Sequence, residues 1–477
     1  GRSLGAATQA MPAAHSWLLA SLLAAACVAE AGNIIGRGCC VATYNETVDY
    51  FPDKAYAGSS QGFSVRYHNN FKVVTITRTG EVYVLLQRGT PKPEPSAWES
   101  GGGRFIEVPI DRAAVLSTEY LAYFELLGER RSIGVTTKHD HLSEPCLLKM
   151  IDTDGIRDGV TDSDRVANNV FSGTDVIFRS SGSRDDELSN NKAVPPAVRV
   201  DTGDEVTAAG IMEWIEFVSL FFNRELEASR MVEEMKSRYD CIKSYYSQTR
   251  FALQPKVRVL YSGFSYDNSY VTCSFDISRW HDQMINDVGG EVIGAYHGYN
   301  SSGPCNMTAF KELADTADVW LYSSNNFQAG RYGSTWSVMG TMRNEIGNMA
   351  PYANGRTFDP NGNHFRDFWT SRMVQLDVEL ADLMTILHPA MNYAHVPVWW
   401  LDVSTKVDPG RPPAEQCTCK YGVLQLKASD CPGNPGGAAP QNPEGDYGCD
   451  GQLSDSVCSA HPLAAPFCAD PEGGDQT

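Results

Sequence analysis

Two stretches, Phe71 to Thr77 (FKVVTIT) and Glu81 to Gln87 (EVYVLLQ), are dense in β-branched and aromatic residues. Thr79-Gly80 separates them, so the pattern predicts a β-hairpin. Short apolar runs then recur between longer segments, at Ala113 to Ser117, Ser132 to Val135, Asp175 to Phe178 and Ala197 to Val200. That rhythm is the mark of an open α/β sheet. From Glu205 to about Ser247 the period changes to that of a helix. Ile211, Ile215, Val218 and Phe222 form one stripe, and Ala228, Met231, Met235, Tyr239 and Ile242 form a second. Asn223 between the stripes is expected to be an N-cap, giving two helices in series, the second roughly 20 residues long. A second α/β unit is predicted beyond it, with strands at Lys256 to Tyr261, Gly290 to Ile293 and Asp318 to Tyr322 and a helix from Met373 to Leu387. Trp214 and Phe217 sit at core spacing, and Trp399-Trp400 is expected as a buried strand closing the domain.

The 69 residues from Pro409 hold ten Pro, ten Gly and six Cys (Cys417, Cys419, Cys431, Cys449, Cys458, Cys468). Such a segment cannot build a core by burial and is expected to rely on crosslinks. At the other end, the apolar run Trp17 to Val28 followed by Ala29-Glu30-Ala31 reads as a secretory signal cleaved before Gly32, in preference to a lipid anchor on Cys27. Removing Cys27 leaves twelve of the 13 cysteines, an even number suited to disulfides in an oxidising compartment. Sequons at Asn45, Asn300 and Asn306 are candidate glycosylation sites on that route.

The organisation expected is a signal peptide (1–31), an N-terminal segment (32–70), an N-terminal α/β lobe (71–204), a helical connection (205–250), a C-terminal α/β lobe (251–408) and a Cys/Pro/Gly-rich tail (409–477). The fold class is α/β, two open lobes joined by a helix. The formal net charge of −19 argues against nucleic acid as a partner. The chain is read as carrying no G-x-S-x-G elbow, H-E-x-x-H, Walker A or strand-linked G-x-G-x-x-G, and a non-enzymatic role is expected. The acidic run Asp152 to Asp164 lacks EF-hand order. His139 and His141 form an H-x-H read as a solvated loop.

Four blocks resemble the class III periplasmic substrate-binding proteins, the siderophore and vitamin B12 binders. They are FIEVPIDRAAVLSTEYLAYFELLGERRSIGVT from Phe105, GIMEWIEFVSLFFNRELEA from Gly210, KVRVLY from Lys256 with GGEVI from Gly289, and DFWTSRMVQLDVELADLMTILHP from Asp367. They keep the order and spacing seen there over residues 71 to 400. With the signal, sequons and tail, the chain is most similar in character to the secreted homologues of algae and other eukaryotes, among them cobalamin-acquisition and siderophore-binding proteins.

The resemblance implies a ligand, a corrinoid or ferric siderophore, held between the lobes by loops leaving the strand ends. The candidate contacts are Ser117 and Tyr120, then Arg179 and Ser180, in the first lobe. In the second they are Tyr261, Tyr266 and Asn268, and Asn325. The vitamin B12 binders carry a D-W-F-x-R motif; here Asp367, Trp369 and Arg372 match it with the Arg displaced by one place. The alternative for Asp367 and Arg372 is a surface pair at a helix start. The resemblance also implies a small-molecule chelate, a membrane uptake partner and a monomer, with no intrinsic cofactor and no metal site. Asp164 and Glu312 fall near the positions where relatives place permease-docking glutamates, without matching them. A structural or adhesive surface glycoprotein and a secreted hydrolase are the rival readings.

Overall fold

The computed structural model of the chain describes residues 32–35, 41–94, 103–137, 155–159, 169–180, 194–267, 270–294, 305–324, 338–360, 370–391 and 395–404, with isolated positions between them. The signal, the tail, His139, His141 and Asp164 lie outside the described residues.

The described residues form three sheets. The first comprises β1 (Phe63–Tyr67), β2 (Phe71–Ile76), β3 (Val82–Gln87) and β4 (Arg104–Val108) in that order, with β4 parallel to β3 and the other pairs antiparallel. The expected hairpin is β2–β3, turned at Gly80 with φ +69°. Its alternation serves two cores, because successive side chains point to opposite faces. Val74, Ile76, Tyr83 and Leu85 join the main core, while Val73, Val82, Val84 and Leu86 pack with Phe71 and Phe105 on the other side. β1 lies within the stretch expected as an N-terminal segment.

The second sheet is all parallel, in the order β7 (Arg157–Asp158), β6 (Ile133–Thr136), β5 (Ala113–Val115), β8 (Val176–Arg179), β9 (Ala197–Arg199). The third runs β12 (Gly290–Ile293), β10 (Val257–Asp267), β13 (Val319–Tyr322), β14 (Thr357–Asp359), β15 (Leu401–Asp402). Only β15 is antiparallel along that path, and β11 (Tyr270–Ser274) pairs with the far half of β10.

The helices are α1 (Leu121–Leu126), α2 (Ala208–Met212), α3 (Trp214–Ser219), α4 (Glu225–Ser247), α5 (Arg279–Asp287), α6 (Met307–Ala314), α7 (Val338–Ile346), α8 (Ala350–Ala353) and α9 (Leu376–Leu387). At 23 residues α4 spans about 35 Å. Its buried positions, Ala228, Met231, Val232, Met235, Tyr239 and Ile242, recur at three and four, and it packs along α9. One continuous core runs from Phe63 in the first sheet through Phe178 and Trp214 to Leu383 and Trp400, so both α/β units share it.

Two local expectations are corrected. The first helical stripe is broken into α2 and α3, and Asn223 is not the cap of α4: Arg224 occupies that place and makes no side-chain cap bond. Asn223 instead adopts φ +59°, a left-handed conformation that Asn tolerates better than most residues, and turns its amide inward to Ile34 O (2.7 Å) and Gln87 Oε1 (3.0 Å). Trp399 and Trp400 are buried as expected, but they precede the strand rather than form it.

Candidate ligand-binding site

The candidates of the first unit sit at or just past the carboxyl ends of β5 and β8. Ser117 follows β5 in extended backbone (φ −136°, ψ 134°), and its hydroxyl donates to Glu119 Oε1 at 3.0 Å. Tyr120, three residues on, is 1% exposed and donates its hydroxyl to Val200 O at 2.7 Å. That placement makes it a packing residue of the main core, not a surface that a bound solute would meet.

Arg179 ends β8 and is fully buried. Its Nη2 donates to Glu81 Oε1 at 2.9 Å and its Nη1 to the carbonyl of the half-buried Ser180 at 3.3 Å. Glu81 also accepts from the Tyr83 hydroxyl (2.8 Å) and lies 3.4 Å from Arg199 Nε. Arg199 in turn faces Asp201 at 3.7 Å, and Arg78 faces Asp204 at 2.9 Å. Three guanidinium groups and three carboxylates thus balance one another, tying the β2–β3 turn to the ends of β8 and β9. Glu81 had no signal beyond its place beside a turn glycine.

In the second unit Tyr261 is 6% exposed, edge-on to His281 (5.0 Å) and to Trp400 (6.3 Å). Burial raises its phenol pKa well above the usual value. The next residue, Ser262, accepts from Trp320 Nε1 at 3.0 Å. Tyr266, expected in a loop beyond the strand, instead lies within β10, its backbone opposite Val271, because the strand continues into a hairpin with β11. Asn268, Asn325, Asp367, Trp369 and the sequon residue Asn300 lie outside the described residues. Asn45 is exposed, its Oδ1 accepting from the Thr47 amide and hydroxyl. Asn306 is exposed and caps α6 through Ala309 N at 3.2 Å.

Arg372 is not on the surface. It is 5% exposed, donating from Nη1 to Glu379 Oε2 at 2.6 Å and from Nε to Phe368 O at 3.2 Å, with its guanidinium 4.0 Å over the Phe368 ring and 5.2 Å over Trp280. The reading as an exposed helix-start pair therefore fails, because the turn Arg372–Val374 is wedged against α1 and α2. Glu379 also accepts from Trp400 Nε1 (3.2 Å) and has His281 Nε2 at ion-pair distance, 3.1 Å, without hydrogen-bond alignment. Burial raises the Glu379 carboxyl pKa, but Arg372 and then His281 outweigh it and hold the value at about 2.

Sequence reasoning missed Glu379 and its neighbours, although a signal existed. Asp377, Glu379 and Asp382 sit in an otherwise apolar helix, and a helix apolar all round is buried, so each acid needs a partner. Asp377 takes Arg238 (2.6 Å). Asp382 takes His395 (2.6 Å) and the amides of Val398, Trp399 and Trp400.

Gly58-Ser59-Ser60-Gln61-Gly62 carries G-x-S-x-G spacing, which corrects the expectation that no elbow pattern exists. Its context is wrong for a nucleophile. The loop leads into β1 rather than from a strand to a helix. Ser60 Oγ donates to Glu205, while the amides of residues 58–60 wrap Glu213. Among the described residues no histidine bonds Ser60, and no group of three or more His, Cys, Asp or Glu is placed to hold a metal ion. Among them, too, no helix is long and apolar enough to cross a membrane.

No protein-family model matches the chain. An uncharacterized lipoprotein of Methanocaldococcus jannaschii is 24% identical over 336 residues, 66% of this chain and 74% of that protein. Among solved structures, a periplasmic heme-binding protein from Pseudomonas aeruginosa aligns with TM-score 0.43 and 10% identity over 59% of this chain and 94% of its own. A siderophore-binding protein bound to a complex of two acinetobactin molecules with ferric iron aligns with TM-score 0.41 and 15% identity, covering 58% and 93%.

Proposed function

We propose that the chain is a non-enzymatic solute-binding protein that captures a metal chelate, a ferric siderophore or corrinoid, between its two α/β units for uptake. The observation that carries this reading is the pairing of an all-parallel sheet with a mostly parallel one, with Ser117 and Ser180 following strands of the first and Ser323 following a strand of the second, and with one long helix and a shared core. The four-block sequence resemblance supplies the ligand class. Ser117, Ser180, Tyr266, Asn268, Asn325, Asp367 and Trp369 remain the proposed contacts, while Tyr120, Arg179 and Arg372 act behind them as support. The division at residues 71–204 and 251–408, secretion or surface display, N-glycans on Asn45, Asn300 and Asn306, and kinship with secreted algal binders belong to the same proposal.

A rival reading, a surface protein that keeps the fold without a ligand, is favoured by one observation: the guanidinium groups of Arg179 and Arg372 are engaged within the chain. Visible absorption and native mass spectrometry of protein from its source cells, followed by calorimetric titration with cobalamin, ferric siderophores and heme, separate the two. A co-purifying or saturable chelate is expected. A colourless protein that binds no member of the panel would establish the rival.

A further inference from the structure

Strand β10 is 11 residues long, yet it pairs with β12 only over Val257–Leu260 and with β13 only over Val259–Ser262. From Gly263 to Asp267 its ladder partner is β11 alone, and β11 pairs with nothing else among the described residues. The chain therefore projects a two-stranded hairpin past the carboxyl end of a parallel sheet, on the side where open α/β sheets receive ligands. A lone hairpin of this size is marginal in water.

Packing, a backbone bond and a crosslink hold it down, and Phe264 also meets the rings of Trp320 (6.0 Å) and Tyr322 (6.1 Å). Phe264 is buried on Phe310 (4.9 Å), the Cys305 amide donates to Val271 O (2.7 Å), and Cys273 is disulfide-bonded to Cys305, 32 residues away. At its base, a Cβ on Gly263 would fall 3.1 Å from Ser323 Oγ and 3.2 Å from Ser324 Cβ, so the hairpin sits directly on the loop leaving β13. The crosslink thus joins the hairpin to the segment entering α6, while packing at Gly263 sets the hairpin's base against Ser323 and Ser324.

We infer that the Cys273–Cys305 disulfide makes this hairpin a redox-releasable wall of the second unit's ligand face. A dithiol reductant would convert the disulfide to two thiols and itself become oxidised to a disulfide, so that electrons and protons balance. The freed hairpin then opens while the parallel ladders of both units stay folded, since among the described residues none of those ladders runs through residues 263–274. Its bearing on ligand release rests on the chelate-binding reading; the release of the wall itself does not.

The test compares amide hydrogen exchange in the full-length oxidised chain with the C273S/C305S variant, and with oxidised protein treated briefly with dithiothreitol in case the variant folds poorly. Exchange at residues 264–267 and 270–274 is expected to rise about tenfold or more, with the amides of β5, β6 and β8 unchanged. Unchanged hairpin exchange would overturn the inference, and so would equal acceleration throughout, which would make the disulfide a general staple. Hemin titration by visible absorbance runs alongside: binding weakened about tenfold in the variant supports the ligand-face placement. Equal hemin affinity with a freed hairpin would overturn that placement. Loss of the chelate reading would appear separately, as absence of binding by the oxidised parent to hemin, cobalamin and ferric siderophores alike.

Discussion

Arg372 and Glu379 form a buried ion pair, Nη1 to Oε2 at 2.6 Å, at the point where the turn before α9 meets α1 and α2. Removing one partner of such a pair strands the other charge in a dry site, which costs roughly 3–5 kcal/mol. Arg372→Met and Glu379→Gln are each expected to lower urea-unfolding stability by about that much, and R372M/E379L to cost clearly less than their sum. Additive losses would show that the two side chains do not act together.

The same carboxylate sets an acid limit. Its folded pKa, about 2, lies below the ordinary 4.5, so its stabilisation is complete above pH 4.5 and drains away as pH falls toward 2. At about 1.4 kcal/mol per unit the whole effect is about 3 kcal/mol. Unfolding free energies measured between pH 5 and pH 2 should fall more steeply for the parent than for E379Q.

Glu216 gives the opposite sign. Burial is the leading cause that lifts its pKa to about 7, with Glu213 adding to it and a bond from Ser229 opposing; its Oε2 has no hydrogen-bond partner among the described residues. A raised folded pKa means stabilisation that is present below 4.5 and lost as pH rises through 7. Glu216→Gln should therefore leave stability at pH 5 little changed and raise it at pH 8 by up to about 3 kcal/mol. A variant less stable than the parent at pH 8 would contradict this.

Gly289 and Gly80 separate two roles of glycine. Both have positive φ, +79° and +69°, but a Cβ on Gly289 would sit 1.8 Å from the Tyr246 hydroxyl, whereas nothing lies within 4 Å of one on Gly80. Gly80→Ala should cost only the backbone penalty, about 1–2 kcal/mol. Gly289→Ala should cost more, about 3 kcal/mol or above, because the tyrosine must move as well. Thermal melts of the pair check the order.

What the sequence made legible was whatever periodicity governs. Alternation along Phe71–Ile76 and Val82–Gln87, the apolar runs of β5, β6, β8 and β13, and the three-four spacing of α4 all read correctly within a few residues, whereas β10 runs to Asp267, six residues past its expected end, because its polar far half carries no apolar run. Strands as short as β7 and β15, two residues each, carry no period. Long-range pairing of charges was equally silent: nothing local in Glu81, Glu205 or Glu213 says which distant amide or guanidinium it meets. The site suffered most, since Arg179 reads as a loop contact and Arg372 as a ligand contact or a surface pair with Asp367 until their buried partners Glu81 and Glu379 are in view.

Lys72 makes the same point from inside a strand. It lies on β2, fully buried, with Nζ 2.6 Å from Leu220 O, 2.8 Å from Asn223 Oδ1 and 2.5 Å from Glu225 Oε1. Glu225 takes Asn33 Nδ2 on its other oxygen at 2.8 Å. Every ammonium proton has an acceptor, so the first sheet, the N-terminal segment and the start of α4 are joined at one buried cation. Burial lowers the lysine pKa and raises that of the glutamate, and their mutual attraction opposes both shifts. Lys72→Met leaves Glu225 without its cation and takes a donor from Leu220 O and Asn223 Oδ1, and is expected to cost roughly 3–5 kcal/mol in urea unfolding. K72M/E225L removes the stranded charge and should recover part of that loss. If the double variant is no more stable than K72M, the penalty belongs to the lost carbonyl and amide bonds rather than to the ion pair.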